Sequence, residues 1–477
     1  MKLLALPVVM LGGLFALLAQ PDVSPATPAP AVPAAGEVPV APPSPPVTAP
    51  EPAPAPAETP APAETPAPVD APKVEAQPLP ATKTIEIVPG PEMQEKVQEA
   101  FIVAEPGTIL QFAEGRYAFT MGLSLDVDNC IIRGTGLDKT ILDFSQQDAG
   151  SEGLLVTADK VLIEDIAIEN AKGNCFKSNA ANDLTLRRVR TEWTGGPKES
   201  NGAYGLYPVN GKNILIEDCV VKGASDAGIY VGQSENIIVR RNDVQLNVAG
   251  IEIENCYFAD VFENNSTNNT GGILVFDLPG LPKQRGHNIR VFKNQIYNNN
   301  TKNFAPQGNI VAKVPTGTGV MIMSNSNVQV FENTIKDHGT VNLLLCSYLA
   351  SGNEITDPSY YPFPEGIVIR DNQFGAGGTS PQGDFGTLAS TLTGVPLPDV
   401  LWDGVVNQVK AVDGQMPAEL RVYITGNKKL DGTEISFANV NALMALTDPA
   451  NHVVLRDLAP HQGELPALPP ISIPGVG

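Results

Sequence analysis

The chain has 477 residues, and its 31 basic against 52 acidic side chains give a formal net charge of -21. This charge opposes attraction to nucleic acid and to anionic membrane surfaces, so neither is an expected partner. Glycine and proline number 44 each and aromatic residues only 6%, a composition that favours turn-rich β structure over a helical bundle.

The first twenty residues have the pattern of a secretory signal peptide. A single lysine is followed by an apolar run from Leu3 to Leu18, and small residues close the segment. The run is shorter than the roughly 20 residues that cross a bilayer, so we expect no membrane span in the mature chain, with uncleaved anchoring as the alternative. The sequence thus predicts a signal peptide at residues 1–20 and an exported protein that is periplasmic, in the cell envelope or extracellular.

Residues 21–82 have a strongly biased composition. Nearly all of them are Pro, Ala, Val, Thr or Glu, and the centre reads EPAPAPAETPAPAETPAP. Such a segment cannot form a core, and its prolines favour an extended polyproline conformation. We therefore predict a disordered spacer that holds the folded part away from whatever precedes it.

A repeat of about 22 residues becomes clear beyond residue 200. The Gly-led segments GLYPV, GIYVG, GIEIE and GILVF start at Gly205, Gly228, Gly250 and Gly272, and GVMIM follows after an insertion. Each unit continues with a second short strand that ends in Asn, such as IIVRRN or IRVFKN, and then with a third. No helical periodicity separates these strands, which excludes an array of alternating strands and helices. The unit is typical of one turn of a three-sided β coil.

Stacking of these turns predicts an all-β fold, a right-handed parallel β-helix with three sheets. Residues one unit apart would lie directly over each other at about 4.8 Å. Ile229, Ile251 and Ile273 share one parity and would face the core together. The Asn that ends each second strand can form hydrogen bonds with the next copy along the stack. We predict that this β-helix domain covers residues 83–435.

The two ends of the predicted stack differ. Near the N-terminal end, EMQEKVQEAFIVA indicates an amphipathic helix with Val97, Phe101 and Ile102 available to cover the first turn. An uncovered terminal edge would invite pairing with another chain, so a capping helix is expected there. Past Gly375 the repeat fades into Gly- and Pro-rich sequence, and we predict an irregular C-terminal tail at residues 436–477.

The motifs between Trp193 and Tyr348 resemble those of exported parallel β-helix repeat proteins. The resemblance rests on NGAYGLYPV, SDAGIYVGQS, AGIEIEN, GGILVFDLPGLP, NFAPQGNIVA and GTGVMIM, and it covers residues 84–348. It implies a pectin-lyase-like fold and export, often beside a second exported protein of unknown role. It implies no activity and no catalytic residues.

Outward positions of the Gly-led sheet are the candidate site. Stacking places Tyr207 and Tyr230 in one column with Glu252, and it places Glu254 in the next column with Phe276. Aromatic rings beside carboxylates suit a sugar, whose apolar face stacks on a ring while its hydroxyls bond to acids. The alternative is that these are ordinary solvated residues of a sheet face.

The acids of this sheet are the candidate catalytic residues. They are Glu252 and Glu254, two positions apart on one strand, and Asp277. The backbone spacing of the two glutamates, roughly 6.5 to 7 Å, allows the carboxyl separation of either glycosidase class and selects no mechanism. Asp226 would add to this group or serve as a turn residue before Gly228. The local signatures of polygalacturonases and mannuronan epimerases are absent from the sequence.

A basic loop follows Asp277. It brings Lys283, Arg285 and His287 next to the proposed groove in an otherwise acidic chain. The arginine and the lysine would bind the carboxylate of an anionic sugar such as a uronate. The alternatives are that the loop neutralises Asp277 and that the histidine is solvated. The sequence indicates no metal site and no cofactor.

Two functions fit these observations. The first is a monomeric exported scaffold that binds a polysaccharide or a partner protein at the cell envelope without catalysis, which the missing catalytic signatures favour. The second is a polysaccharide lyase, hydrolase or epimerase that acts on an anionic glycan through the acids named above.

Overall fold

The computed structural model of the protein describes residues 83–474, which form one stack of short parallel strands. The predicted signal peptide at residues 1–20 and the predicted spacer at residues 21–82 lie outside the described residues. Within the described range, no helix is both long enough and apolar enough to cross a membrane.

Thirty-two strands and three α-helices make up this part of the chain. The first strands are β1 (Lys83–Ile87), β2 (Thr108–Phe112), β3 (Gly115–Ala118), β4 (Met121–Leu125), β5 (Ile131–Arg133), β6 (Thr140–Asp143), β7 (Ala149–Val156), β8 (Leu162–Glu169), β9 (Asn174–Asn179) and β10 (Asn182–Glu192). The middle strands are β11 (Tyr204–Val209), β12 (Lys212–Glu217), β13 (Val220–Lys222), β14 (Ala227–Gly232), β15 (Glu235–Arg240), β16 (Asp243–Gln245), β17 (Ala249–Glu254), β18 (Tyr257–Phe262), β19 (Asn265–Thr267), β20 (Gly271–Phe276), β21 (His287–Phe292) and β22 (Gln295–Tyr297). The last strands are β23 (Thr318–Met323), β24 (Ser326–Phe331), β25 (Thr334–Lys336), β26 (Val341–Cys346), β27 (Glu365–Arg370), β28 (Gln373–Phe374), β29 (Val400–Trp402), β30 (Val422–Thr425), β31 (Lys428–Lys429) and β32 (Phe437–Asn439). The helices are α1 (Met93–Ile102), α2 (Gly383–Thr393) and α3 (Ala442–Thr447).

The strands form three faces. The front face is the eleven-stranded sheet of β4, β7, β9, β11, β14, β17, β20, β23, β26, β29 and β32, which includes the Gly-led strands. The second face contains β1, β2, β5, β12, β15, β18, β21, β24, β27 and β30, and the third contains β3, β6, β13, β16, β19, β22, β25, β28 and β31. β8 and β10 bend round the corner between these two faces and join them into one 21-stranded sheet. The predicted three-sided parallel β-helix is confirmed.

The core is a continuous column of apolar side chains along the axis. Ile229 pairs with Ile251, Ile251 with Ile273, and Ile273 with Val320. All four side chains are fully buried in one hydrophobic cluster, as predicted. A slip of one residue would turn every one of these side chains to the outside, so burial of the column sets the register of each turn.

A ladder of buried asparagines follows the corner between the second and third faces. Its members are Asn242, Asn264, Asn294, Asn333, Asn372 and Asn427. In each step the Nδ2 of one asparagine donates to the Oδ1 of the next at 2.9 to 3.0 Å. The same Oδ1 accepts the backbone N–H of the preceding asparagine, and each Nδ2 also donates to a strand carbonyl. The predicted stacking of the corner asparagines is therefore confirmed.

Helix α1 covers the N-terminal end of the stack. Its Val97 and Phe101 are buried in the core, and the Phe101 ring lies edge-to-face on Phe112 at 6.5 Å. The prediction for Ile102 is wrong, because this side chain is 67% exposed. Residues four apart share one side of a helix, as Val97 and Phe101 do, whereas Ile102 lies one position past that side.

The C-terminal part is more regular than predicted. Strand β32 lies within the predicted irregular tail at residues 436–477, yet it pairs with β29, so the front face continues to Asn439. The chain then returns along the second face, where the backbone N–H of Ile471 donates to Asp260 at 3.0 Å. Ile473 is buried against the same face. Side chains of the stack thus hold Ile471 and Ile473 against the second face.

Removal of one ladder amide should destabilise the protein. Asn294→Ala removes the acceptor of the Asn264 backbone N–H and of one Asn264 amide hydrogen, and it removes the amide that donates to the Val261 carbonyl. We therefore expect the free energy of unfolding to fall by about 3 kcal/mol. Chemical unfolding followed by circular dichroism measures this change. The neighbouring exposed Gln295 provides the control, since Gln295→Ala should change stability by less than about 0.5 kcal/mol. Equal losses for the two variants would contradict the proposed role of the ladder.

Candidate functional site

The outward positions of the front face lie in the predicted register. Tyr230 pairs with Glu252, and Glu252 with Leu274, so these side chains form one column. Glu254 pairs with Phe276 in the next column. These positions alternate with core residues, because successive side chains of a strand point to opposite sides of its sheet.

The central part of the front face is covered. Only 1% of Glu252 and 6% of Glu254 is exposed, and Phe276 is fully buried. The cover is the insertion between β22 and β23, whose Val311 and Val314 belong to the same hydrophobic cluster as Phe276. The interpretation of these residues as an ordinary solvated sheet face is therefore wrong, because the insertion replaces solvent over the strands.

Three carboxyl groups lie beneath this cover, and we call Asp226, Glu252 and Glu254 the acid cluster. Glu254 Oε1 accepts a hydrogen bond from the Tyr230 hydroxyl at 2.6 Å, and Asp226 Oδ2 accepts one from the Asn309 amide at 3.0 Å. The Glu252 carboxyl group forms a hydrogen bond with that of Glu254, and apart from this acid no donor within residues 83–474 reaches its oxygens. The described residues also contain no group of His, Cys, Asp and Glu arranged to hold a metal ion. The cluster is thus a closed site in which the only hydrogen-bond partner of Glu252 among the described residues is another acid.

The pKa values of the acid cluster are raised. Burial is the largest cause for each acid, since a charged carboxylate loses its hydration, and repulsion from neighbouring acids adds to it, with Glu254 acting on Asp226 and Asp277 acting on Glu254. The pKa of Asp226 rises to about 7 and that of Glu254 to about 7, although hydrogen bonds from Asn309 and Tyr230 favour the charged forms. Burial and the neighbouring Glu254 and Asp226 raise the pKa of Glu252 well above its ordinary value. The cluster therefore retains protons at a pH where solvated carboxyl groups have lost theirs.

Asp277 is also fully buried, directly after β20. Its Oδ1 accepts the backbone N–H of Gly286 at 2.8 Å, and the Tyr360 hydroxyl donates to its backbone carbonyl at 2.5 Å. Its Oδ2 has no hydrogen-bond partner in the described part of the chain. Burial raises the pKa of Asp277 to about 6 against the opposing backbone hydrogen bonds. Asp277 thus anchors the loop that follows it.

The charges of the basic loop act on acids outside the acid cluster. Lys283 forms an ion pair at 2.7 Å with Glu235 of the second face. The Arg285 guanidinium lies 4.6 Å from the Tyr361 ring. Its positive charge partly opposes the rise that burial causes in the pKa of the neighbouring Asp277. His287 begins β21 on the second face, where its ring lies against Tyr257 at 4.4 Å. The expected groove shared by this loop and the two glutamates is not formed, because the second face supplies closer partners.

A group of tyrosines lies on the N-terminal side of the acid cluster. The ring centroid of Tyr204 lies 4.4 Å from that of Tyr207 and 4.7 Å from that of Tyr230. Tyr230 is buried, whereas Tyr204 and Tyr207 remain partly exposed. Lys177 lies 5.2 Å from the Tyr207 ring and 3.3 Å from Glu152. We call Tyr204, Tyr207, Lys177 and Glu152 the tyrosine platform.

Sequence reasoning missed several of these residues. Tyr204 precedes the glycine from which each repeat was aligned, so it entered neither outward column. Lys177 and Glu152 belong to early turns whose repeat is weak. Asn309 lies in an insertion without periodicity, and no sequence pattern links it to Asp226. Alignment of the early turns on Tyr207 would have placed Lys177 in the same outward column, because β9 and β11 pair at these two positions.

Comparison with protein families agrees with the observed architecture. The sequence matches the family described as right handed beta helix region at residues 124–280 and 199–380, which together span more than half of the chain. The chain belongs to this family. The right-handed parallel β-helix predicted from the sequence is thereby confirmed. Comparison with curated proteins finds no match.

Solved structures similar to this right-handed β-helix protein have low sequence identity to it. The A-module of the Azotobacter vinelandii mannuronan C-5 epimerase AlgE4 is 14% identical, with a TM-score of 0.42 over 70% of this chain and 89% of that one. Pectate lyase Pel9A is 10% identical, with a TM-score of 0.40 over 74% and 78%. The periplasmic alginate epimerase AlgG is 12% identical, with a TM-score of 0.40 over 73% of each chain. These similarities concern the fold alone.

Neutralisation of Glu252 should stabilise this β-helix protein, and more so at high pH. The pKa of Glu252 is about 4 in an unfolded chain and raised well above that in the folded one, so stability falls as the pH rises above about 4. Glu252→Gln removes this loss, and we expect a gain on the order of 2 kcal/mol at about pH 8 and a much smaller one at about pH 4.5. Thermal or urea unfolding at the two pH values measures the difference.

An exposed glutamate provides the control for this experiment. Glu263 is solvent-exposed, so Glu263→Gln should leave stability unchanged at both pH values. A gain for Glu252→Gln that is the same at both pH values would show that its carboxyl group is not the titrating group.

Proposed function

We propose that this protein is exported and binds a polysaccharide at the tyrosine platform without chemical turnover. The supporting observation is the pair of partly exposed rings, Tyr204 and Tyr207, beside the charged side chains of Lys177 and Glu152. Aromatic rings stack on the apolar faces of sugars, and charged groups form hydrogen bonds with their hydroxyls. Export is proposed from the signal pattern at residues 1–20. In this proposal the protein is a monomer, and a second exported protein would bind outside the platform.

The arrangement of the platform suits a polymer. Glu152, Lys177 and Tyr207 come from three consecutive strands of the front face, β7, β9 and β11. Tyr207 and Lys177 pair in register and lie about 4.8 Å apart along the axis, whereas Glu152 pairs with Asn174 and lies to one side of them. A glycan chain parallel to the axis would contact Lys177 and Tyr207 together with Glu152 beside it, and the partly exposed rings require no movement of the cover.

Burial of the candidate acids supports binding without turnover. A general acid or base must come within hydrogen-bonding distance of the reacting atom. Glu252 and Glu254 are covered by the insertion, and the side chain of Asn309 in that insertion donates a hydrogen bond to Asp226. The two glutamates are therefore not exposed to a sugar that lies on the platform.

A second candidate function, acid–base catalysis on an anionic glycan, is supported by the raised pKa values of the acid cluster. A carboxyl group with a pKa of about 7, as at Glu254, can donate or accept a proton at neutral pH. Its neighbour Glu252 would serve as the partner acid or base in a lyase, hydrolase or epimerase reaction. This function requires the cover over both residues to open.

Loss of the platform rings should abolish most glycan binding. Each stacked ring contributes about 1 kcal/mol, so Tyr204→Ala combined with Tyr207→Ala should weaken binding by about tenfold or more. Screening on an array of neutral and acidic glycans identifies the ligand, and calorimetry measures the affinity. Tyr297 provides a matched control on the third face, since it is also partly exposed and has Lys336 at 5.7 Å. No glycan ligand for the unmodified protein, or an equal loss for Tyr297→Ala, would refute the proposal.

Incubation with uronate polymers separates binding from catalysis. We expect no unsaturated ends, no reducing ends and no change in epimer ratio when the protein is mixed with alginate or pectin in the presence of Ca²⁺. Products that disappear in the Glu252→Gln and Glu254→Gln variants, and persist in Glu263→Gln, would establish the second function and exclude binding without turnover.

A further inference from the structure

A separate cavity of about 510 Å³ lies further along the front face. Outward side chains of β20, β23 and β26 form its floor, the insertion at residues 303–316 lies along one side, and α2 lies opposite. Neither the tyrosine platform nor the acid cluster contributes to its lining. The cavity is therefore a site of its own.

The lining of this cavity is mostly apolar. It contains Met321, Met323 and Leu344 from the sheet and Phe385, Leu388 and Leu392 from α2. Cavities of this size are typical of sites that enclose small organic ligands. These side chains offer almost no hydrogen bonds, so the enclosed part of a ligand must be apolar. Methionine and leucine side chains are also flexible enough to close around a thin alkyl chain.

Three charged side chains reach the lining, and two of them are unsuited to bind an anion. Asp403 is buried and already satisfied, since Oδ2 accepts the backbone N–H and hydroxyl of Ser347 at 2.7 and 2.8 Å, and Oδ1 accepts the backbone N–H of Val405 at 2.9 Å. Asp384 lies exposed in the first turn of α2. The third charged side chain is the cation Lys313.

Lys313 is exposed at the mouth of the cavity. Its Nζ donates to the Ser351 carbonyl at 2.8 Å and to the Asn353 Oδ1, and both of these acceptors are neutral. No carboxylate forms an ion pair with Lys313 within residues 83–474. Its positive charge is therefore available to an anionic group beside the apolar space.

We propose that this cavity binds a single-chain amphiphile with an anionic head group, such as a fatty acid. The alkyl chain fills the space between the front sheet and α2, and the carboxylate lies at Lys313. Each methylene moved from water into the cavity adds affinity until the space is full. The proposal does not depend on polysaccharide binding, because the two sites share no residue.

Helix α2 provides a route of entry. It is joined to the stack through Gly383 and Gly394, whose φ angles of 69° and 83° lie in the left-handed region. No heavy atom lies within 4 Å of the position that a Cβ would take at either glycine, so the space beside both junctions is open on that side. Movement of the helix would break the hydrogen bonds from the Gln382 N–H to Thr340 at 2.9 Å and from Arg456 to the Thr393 carbonyl at 2.7 Å, while the strands beneath it remain paired.

A chain-length series tests the apolar part of the site. The full chain, freed of lipid, is titrated by calorimetry with octanoic, dodecanoic and hexadecanoic acid below their micelle concentrations. We expect the affinity to rise by about fourfold per methylene until the cavity is full, and then to level off. Met321→Trp should make it level off at a shorter chain length. Met121→Trp, at an exposed methionine of β4 on the same face, should leave the series unchanged.

A head-group comparison tests the charged part of the site. Lys313→Gln should weaken fatty-acid binding by about threefold, because an exposed ion pair is lost. The same variant should bind the fatty alcohol of equal length as the unmodified protein does. Lys302, an exposed lysine of the same insertion, provides the control, since Lys302→Gln should change neither affinity.

Several outcomes would overturn the proposal. The first is that no fatty acid binds to the full chain, and the second is that Met321→Trp and Met121→Trp give the same series. If circular dichroism shows that Met321→Trp does not fold, Leu388→Trp on α2 replaces it with the same expectation. Binding that appears only after residues 1–20 are removed would show that the chain's own apolar segment occupies the cavity, which also refutes the proposal.

Discussion

The alignment of equivalent residues in successive turns is the constraint on which the rest of the structure depends. It is held from inside by the column of Ile229, Ile251 and Ile273, and at the corner by an asparagine ladder whose polar atoms are satisfied only when the turns align. A slip of one residue would move the outward acids into the core and the isoleucines to the surface, at a cost well beyond the stability of a folded protein. The same register makes neighbours of side chains that are distant in sequence, such as Lys177 and Tyr207 on the front face.

The repeat predicts the regular part of this fold because the same physical requirements return in every turn: apolar residues inside and an amide at the corner. The three faces, their parity and the outward columns follow from it. The insertions carry no repetition, and no pattern in NFAPQGNIVAKV shows that Asn309 reaches Asp226, 83 positions away. Whether an outward residue is exposed depends on such long-range cover, so parity alone could not predict the burial of Glu252. The prediction that Ile102 covers the first turn was wrong for a related reason. The sequence of a short helix does not determine which of two adjacent apolar residues, Phe101 or Ile102, packs against the stack.

Carboxylates on two faces show how their surroundings decide their chemistry. Glu217 of the second face is buried, yet it accepts hydrogen bonds from Arg187 at 2.6 Å and Arg240 at 2.8 Å, and these bonds lower its pKa. Glu252 of the front face is buried beside other acids and forms no ion pair with a cation in the described part of the chain, and its pKa is raised. Burial raises the pKa of both carboxyl groups, and only the neighbouring arginines bring the pKa of Glu217 below its ordinary value. The second face therefore carries ion pairs of fixed charge, whereas the front face carries acids that gain and lose protons near neutral pH.

The front face has three parts along the axis: the partly exposed tyrosine platform, the covered acid cluster and the apolar cavity. The backbone of the stack is nearly the same in all three parts. They differ in the segments that lie over the sheet, and therefore in how far their side chains are exposed. The insertion lies over the acids, and α2 lies over the cavity. Because insertions leave the stack at its corners, the register beneath them is preserved. Burial of Glu252 among other acids costs stability, but the same insertion buries Phe276, Val311 and Val314. The favourable burial of those side chains offsets the cost of the acid, since both result from one cover.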